Sequence, residues 1–143
     1  MKFPVFILTI FIISFIGCKS TQLPPDKYDK SSITFGSGGG FSGAYHEYIL
    51  LDDGRLYATK LDGSSPDYIK NVENKITGQL FDNIRTFGLD KFNYNEPQNL
   101  YYFLKYKSQR DSSNIVWSGM PEGKIAIAYS MYRILIEQTQ NKK

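Results

Sequence analysis

Cys18 is the only cysteine in the 143 residues, so any fold this chain adopts must be held by packing, without an internal disulfide. The position of that cysteine constrains the chain further. It closes a segment that opens Met1-Lys2, continues through an apolar run from Phe3 to Ile16 and ends Gly17-Cys18-Lys19-Ser20. A positive start, a short apolar core and small residues at its end describe an export signal. A permanent membrane span would need about 20 apolar residues, more than this run offers. Residues 1–17 are expected to be removed, which leaves one small domain to build a core by itself.

Phe15-Ile16-Gly17-Cys18 resembles the lipobox of bacterial lipoproteins, with Phe15 at a position where that pattern usually has Leu. The resemblance implies a diacylglyceryl group on the Cys18 thiol, cleavage after Gly17, and acylation (palmitate, for example) of the new amino terminus. Alternatively, Cys18 is only a small apolar residue ending an ordinary secretory signal. A lone thiol directly after the cut is better explained as an attachment point. Two or three acyl chains would hold the protein firmly, since each buried methylene contributes about 0.8 kcal/mol. Residues 18–31, polar and carrying Pro24-Pro25, read as the lipidated cysteine and a flexible tether. No acidic run follows Cys18, so the expected location is the cell envelope, on the outer membrane and facing the periplasm.

Loss of residues 1–17 takes away Lys2, leaving 16 basic residues against 14 acidic ones. That balance is too even to argue for nucleic acid as a partner. All 11 tyrosines lie beyond the signal, and tyrosine can cover a sheet face while its hydroxyl stays wet.

Residues 32–143 are expected to form a single domain. Ser32 to Phe35 begins a strand and enters Gly36-Ser-Gly-Gly-Gly-Phe-Ser-Gly43. Ala44 to Leu51, the turn Asp52-Asp53-Gly54 and Arg55 to Lys60 form a β-hairpin, with Gly54 free to take the positive φ of such turns. A helix is expected over Glu73 to Phe87, because Ile76, Leu80, Ile84 and Phe87 form one apolar stripe, with Gly88 closing it. Leu100 to Lys107 and Ser113 to Ser118 read as a second hairpin. A second helix starts near Pro121, with Ile125, Tyr129, Tyr132 and Ile136 in a stripe, and Glu137 to Lys143 as a fraying polar tail. The expected fold class is α+β: an antiparallel meander of about four to five strands with two helices packed on one face, in the order β-hairpin, helix, β-hairpin, helix.

Chemistry-bearing patterns are few. Gly38, Gly40 and Gly43 fit G-x-G-x-x-G, but a dinucleotide loop must lead into a helix, and Tyr45 onward reads as strand. Kinase-like glycine loops need partner motifs that do not follow here. A wide, flexible strand connection is the plainer reading, with partner or ligand contact through Gly38, Gly39, Gly40 and Phe41 beside it. Ser42 and His46, the one histidine, could be set up as a hydrolase pair only on a strand-to-helix elbow, which is lacking. Glu47 with Asp52 or Glu96 could be argued as a carboxylate pair, without support from spacing. One histidine and no thiol in the folded part exclude the usual Cys/His zinc sites, and Asp52, Asp53 and Asp62 lack the spacing of a calcium loop. No catalytic residue, metal ligand or cofactor is assigned. Tyr102 and Trp117 could present an aromatic contact face, or simply belong to a sheet covered by helices on one side and tyrosines on the other.

Phe35-Gly-Ser-Gly-Gly-Gly-Phe-Ser-Gly43, Leu51-Asp-Asp-Gly54, Asn99-Leu-Tyr-Tyr-Phe103 and Ile115-Val-Trp117 resemble a set of small bacterial lipoproteins of unassigned activity. The likeness spans residues 33 to about 136 and implies a fold without implying chemistry. There is a fainter likeness in layout to hairpin–helix–hairpin–helix domains whose paired cysteines are lacking here. The leading expectation is a non-enzymatic, membrane-anchored envelope lipoprotein that binds a protein or peptide as an accessory factor. Two alternatives stand beside it: a small-molecule or glycan-binding module using Tyr102, Trp117 and the glycine loop, and a hydrolase using Ser42/His46 or carboxylates.

Overall fold

The computed structural model describes residues 23–140. The signal segment, Cys18 and its lipid-attachment reading lie outside that range. A single 3-10 turn, Pro25–Lys27, precedes the first strand. The strands are β1 (Ser32–Gly39), β2 (Ala44–Leu51), β3 (Arg55–Ala58), β4 (Asp67–Asn71), β5 (Tyr94–Asn95), β6 (Leu100–Lys107) and β7 (Ser112–Trp117). Helix α1 (Asn74–Thr86) falls between β4 and β5, and α2 (Gly123–Gln140) ends the described chain. The α+β class holds. The strands make one seven-stranded sheet in the order β4-β3-β2-β1-β6-β7-β5.

That count corrects the expected four to five strands, and the alternation of hairpin and helix gives way to four consecutive strands before α1. β4 follows Pro66 and is largely polar, and β5 has two residues, so neither carries a hydrophobic period of its own. β5 runs parallel to β7 (Tyr94 beside Ile115), which makes the sheet mixed. The Asn93 side chain accepts the Asn114 backbone N–H at 2.8 Å and seats β5 there.

The glycine run is not a loose connection. Gly36 to Gly39 lie inside β1, the central strand, paired residue for residue with β2 and β6. Only residues 40–43 turn, with the Gly43 N–H donating to the Gly40 carbonyl at 3.1 Å. By contrast the hairpin of β2 and β3 closes as its sequence requires: Gly54 has φ +92° and donates to the Leu51 carbonyl.

Side-chain alternation assigns the two faces. Ile33 and Phe35 of β1, Leu50 of β2, Leu56 of β3, Leu104 and Tyr106 of β6, and Ile115 and Trp117 of β7 share one face. They form a single core with Leu80, Phe81 and Ile84 of α1 and Ala128, Met131, Tyr132 and Leu135 of α2. Both helices therefore cover the same face. Phe87 was expected in the α1 stripe but is exposed. Gly88, at φ +64°, reverses the chain so that Leu89 donates to the Ile84 carbonyl and fills that place, wholly buried. α2 continues through Glu137 to Gln140 instead of fraying at 137.

Candidate functional site

On the face away from the helices, β1 presents only Gly36 and Gly38 over its second half. Aromatic rings from the flanking strands lie in the space so made. A Cβ on Gly36 would come within 2.6 Å of the Phe103 ring, and one on Gly38 would press on Tyr101 and Tyr45. Tyr45 stacks on Phe103 with ring centres 5.7 Å apart, and Tyr101 leans on Phe103 at 6.5 Å. Lys105 holds its ammonium 4.8 Å above the Phe103 ring, 3.8 Å from Glu47. The Tyr45 hydroxyl donates to Glu47 at 2.6 Å. Burial, then that bond to a carboxylate, raise the Tyr45 hydroxyl above its ordinary value.

This aromatic tier runs up to one end of the sheet, where β1 turns into β2 and where β6 begins. The Gly40 N–H donates to the Asn99 carbonyl at 2.6 Å, so the turn is tied to the start of β6. Phe41 stands at its tip, wholly exposed, and Leu100 lies beside Gly40. The strand directions bring Met120, just past β7, and Leu61, between β3 and β4, to this same end. Among the described residues eight large apolar side chains are exposed, and four of them, Phe41, Leu61, Leu100 and Met120, lie at this end, spread from the β3–β4 connection to the end of β7.

The residues singled out from sequence divide sharply. Gly38 is buried beneath Tyr45 and Tyr101, Gly39 and Gly40 are half-buried in the turn, and Phe41 is free. Tyr102 and Trp117 face the helices instead. Trp117 is 1% exposed, packed edge-on to Tyr129 and Tyr132 and beside Tyr102. As a contact residue Trp117 is thus corrected: it is core, because its position in β7 has the parity of Ile115 and Leu104. The structure does not bring Tyr102 and Trp117 together with Phe41 on one surface.

Ser42 and His46 are both exposed, and no hydrogen bond joins them. Glu47 and Asp52 sit five residues apart along one strand and its turn, about 17 Å by the rise of an extended chain. That exceeds the carboxylate separations of glycoside hydrolysis. Each carboxylate is engaged by a tyrosine of its own: Glu47 by Tyr45, Asp52 by Tyr28 and Glu96 by Tyr94. No group of three or more acidic, histidine or cysteine residues converges on a metal-sized space among the described residues.

Two features escaped the sequence reading. One is an open cleft of about 500 Å³ at the opposite end of the sheet, lined by Lys30, Ser31, Asp52, Arg85, Tyr106 and the 108–111 turn. Two of its charges are offset locally, Arg85 by Asp82 and Asp111 by Lys91. The other is Arg55. It is 5% exposed, paired with Asp53 at 2.8 Å, hydrogen-bonded to the Tyr57 hydroxyl, and donates to the Leu23 carbonyl at 2.8 Å. Its guanidinium lies 5.5 Å from the Tyr28 ring centre, and Tyr28 in turn donates to Asp52. Residues 23–31, part of the stretch expected to be a tether, are by this means strapped across the uncovered face. An arginine two residues after the turn aspartate Asp53, directly behind Gly54, was the only available signal, and it is a common pattern.

No family model matches this chain, and no curated protein matches it either.

Proposed function

We propose that this is an exported envelope lipoprotein, anchored through lipid on Cys18 at the outer membrane and facing the periplasm. Its domain works without catalysis, as an accessory factor that binds a protein or peptide partner at the glycine-turn end of the sheet. The anchor is supported by the signal segment, the lipobox-like Phe15-Ile16-Gly17-Cys18 and the absence of any other cysteine.

Phe41 is the observation that carries the binding reading. A wholly exposed phenylalanine on a turn tied by hydrogen bonds to Asn99 and within itself is an anchor already ordered before binding. Less side-chain and loop entropy is then lost on association. Aromatic anchors carry much of the energy in such contacts, and Leu100 lies beside this turn at Gly40. The glycan or small-molecule reading used Tyr102 and Trp117 together with the glycine loop, and of these Tyr102 and Trp117 lie on the helix-covered face. The hydrolase reading used Ser42 with His46 or paired carboxylates; Ser42 and His46 share no hydrogen bond, and Glu47 and Asp52 are about 17 Å apart along the extended chain.

The test is photo-crosslinking from position 41 in the intact protein in its native envelope, with position 109 at the far end as control. Adducts from position 41 that are missing from 109, on a bait whose mass shows diacylglyceryl on Cys18, are the expected result. A lipidated bait without adducts from position 41 would remove the partner reading. An unmodified Cys18 would remove the anchor.

A further inference from the structure

Arginine carries N–H donors and no acceptor, so a buried guanidinium has to find acceptors within the fold. Arg55 finds them at the Asp53 carboxylate, the Tyr57 hydroxyl and the backbone carbonyl of Leu23. Asp53 and Tyr57 belong to the β2–β3 hairpin itself. The third acceptor comes from the strap, whose Pro24 and Pro25 share a hollow of about 350 Å³ with Arg55, Tyr57, Pro66 and Tyr68. Arg55 and Tyr57 alternate onto one face of β3. Tyr68, on the edge strand β4, pairs with Tyr57 and meets its ring edge-on at 5.7 Å. Both Tyr68 and Pro24 are exposed, so the hollow is open and only partly filled by the strap.

What lies against Arg55 has the chemistry of a ligand. Pro24 sits at φ −65° and ψ 160°, close to polyproline II. Proline has no N–H, so a Pro-Pro step laid against rings strands no donor, while the carbonyl before it still needs one. A guanidinium that donates and cannot accept, beside two tyrosine rings, meets that demand. Aromatic-lined grooves take extended proline segments in this way, and the stiffness of such segments keeps the entropy cost of docking low.

We propose that Arg55, Tyr57, Pro66 and Tyr68 form a binding site for a proline-rich segment of another protein, occupied here by Leu23-Pro24-Pro25 as a tethered stand-in. The site uses no residue of the glycine turn and is therefore a second contact surface. A tethered occupant acts at an effective concentration on the order of millimolar. A partner meets only the fraction of molecules in which the strap has lifted, and its apparent affinity falls by that fraction. The strap is suited to lifting, since along residues 23–31 only Pro25, Tyr28 and Ser31 are even half-buried. When it lifts, Arg55 loses its acceptor at Leu23, and a partner's carbonyl restores it.

The experiment uses the full-length protein and a fluorescein-labelled peptide of repeated Leu-Pro-Pro, read by anisotropy, with repeated Leu-Ala-Ala as control. Pro24→Ala/Pro25→Ala strips the hollow of the chain's own prolines, and Tyr28→Ala loosens the strap at its middle without touching them; thermal unfolding verifies that each is folded. A folded, opened variant should bind the proline peptide at least about ten-fold tighter than wild type. It should ignore the alanine peptide and lose binding when Tyr68→Ala is added. Opened protein that binds no tighter than wild type, or that takes both peptides alike, overturns the proposal. So does binding that survives Tyr68→Ala, because the peptide is then seated elsewhere.

Discussion

Glycine in the middle of a sheet gives up backbone entropy and offers no side chain to pack, yet the central strand β1 carries Gly36, Gly38 and Gly39. Their neighbours explain them. At Gly36 a Cβ would overlap the His46 carbonyl oxygen, which is backbone and cannot step aside, as well as the Phe103 ring. Gly36→Ala should therefore cost about 3 kcal/mol, at the upper end of overpacking effects. Gly43 has φ +62° and nothing within 4 Å, so Gly43→Ala meets only backbone strain of about 1 kcal/mol. Urea unfolding of the two variants checks the order; equal losses would mean that Gly36 is not confined as described. Tyr28 sets a second residue-scale expectation. Burial and then the hydrogen bond to Asp52 raise its hydroxyl above the ordinary tyrosine value of about 10. The fold thus favours the neutral phenol. Its contribution is complete below pH 10 and is lost as pH rises through the higher folded-state value. Between pH 9 and pH 12 the wild type should lose stability more steeply than Tyr28→Phe, and parallel curves would refute it.

Among the elements, the strap over residues 23–31 is held by Arg55 to the Leu23 carbonyl, the Arg55 guanidinium against the Tyr28 ring, Tyr28 to Asp52, and two hydrogen bonds between Ser31 and Asp52. Tyr28→Ala removes the two contacts at the middle of the strap while sparing the core. Trypsin should then cut after Lys27 and Lys30 several-fold faster, with unfolding free energy lowered by about 1–2 kcal/mol. An unchanged cutting rate would show that the strap is held elsewhere. Nothing local announced this element, because a polar run with Pro24-Pro25 has a linker's composition and its anchor, Arg55, is distant in sequence. The β2–β3 hairpin was legible for the opposite reason, since Asp52-Asp53-Gly54 encodes its turn within three residues. Both helices were legible from period alone, to within a residue or two for α1. The glycine strand was not, because the rings that justify Gly36 and Gly38 come from Tyr45, Tyr101 and Phe103 on two other strands. The site divided along the same line. Phe41 could be named from its place in a turn, whereas the burial of Trp117 depended on which face of β7 the helices would cover.

Taken as a whole, the molecule separates two sets of aromatic residues by the faces and ends of one sheet. Trp117, Tyr102, Tyr129 and Tyr132 knit α2 to β6 and β7, where they hold the domain together. Phe41 contributes nothing to that core and stands free at the turn, open to a contact outside the fold. Substitution separates the two roles. Trp117→Ala should cost about 3–5 kcal/mol, as for other buried large aromatics. Phe41→Ser should leave stability within about 0.5 kcal/mol of wild type, as substitutions at exposed sites do. Thermal unfolding reads both, and the emission of Trp117, the one tryptophan, should resist iodide quenching in the folded protein. If Phe41→Ser also unfolded the domain, the turn would be part of the scaffold and its exposure would no longer argue for a partner. If instead Phe41→Ser folded normally and lost the crosslinked partner, the glycine-turn end would be doing work that the fold does not require.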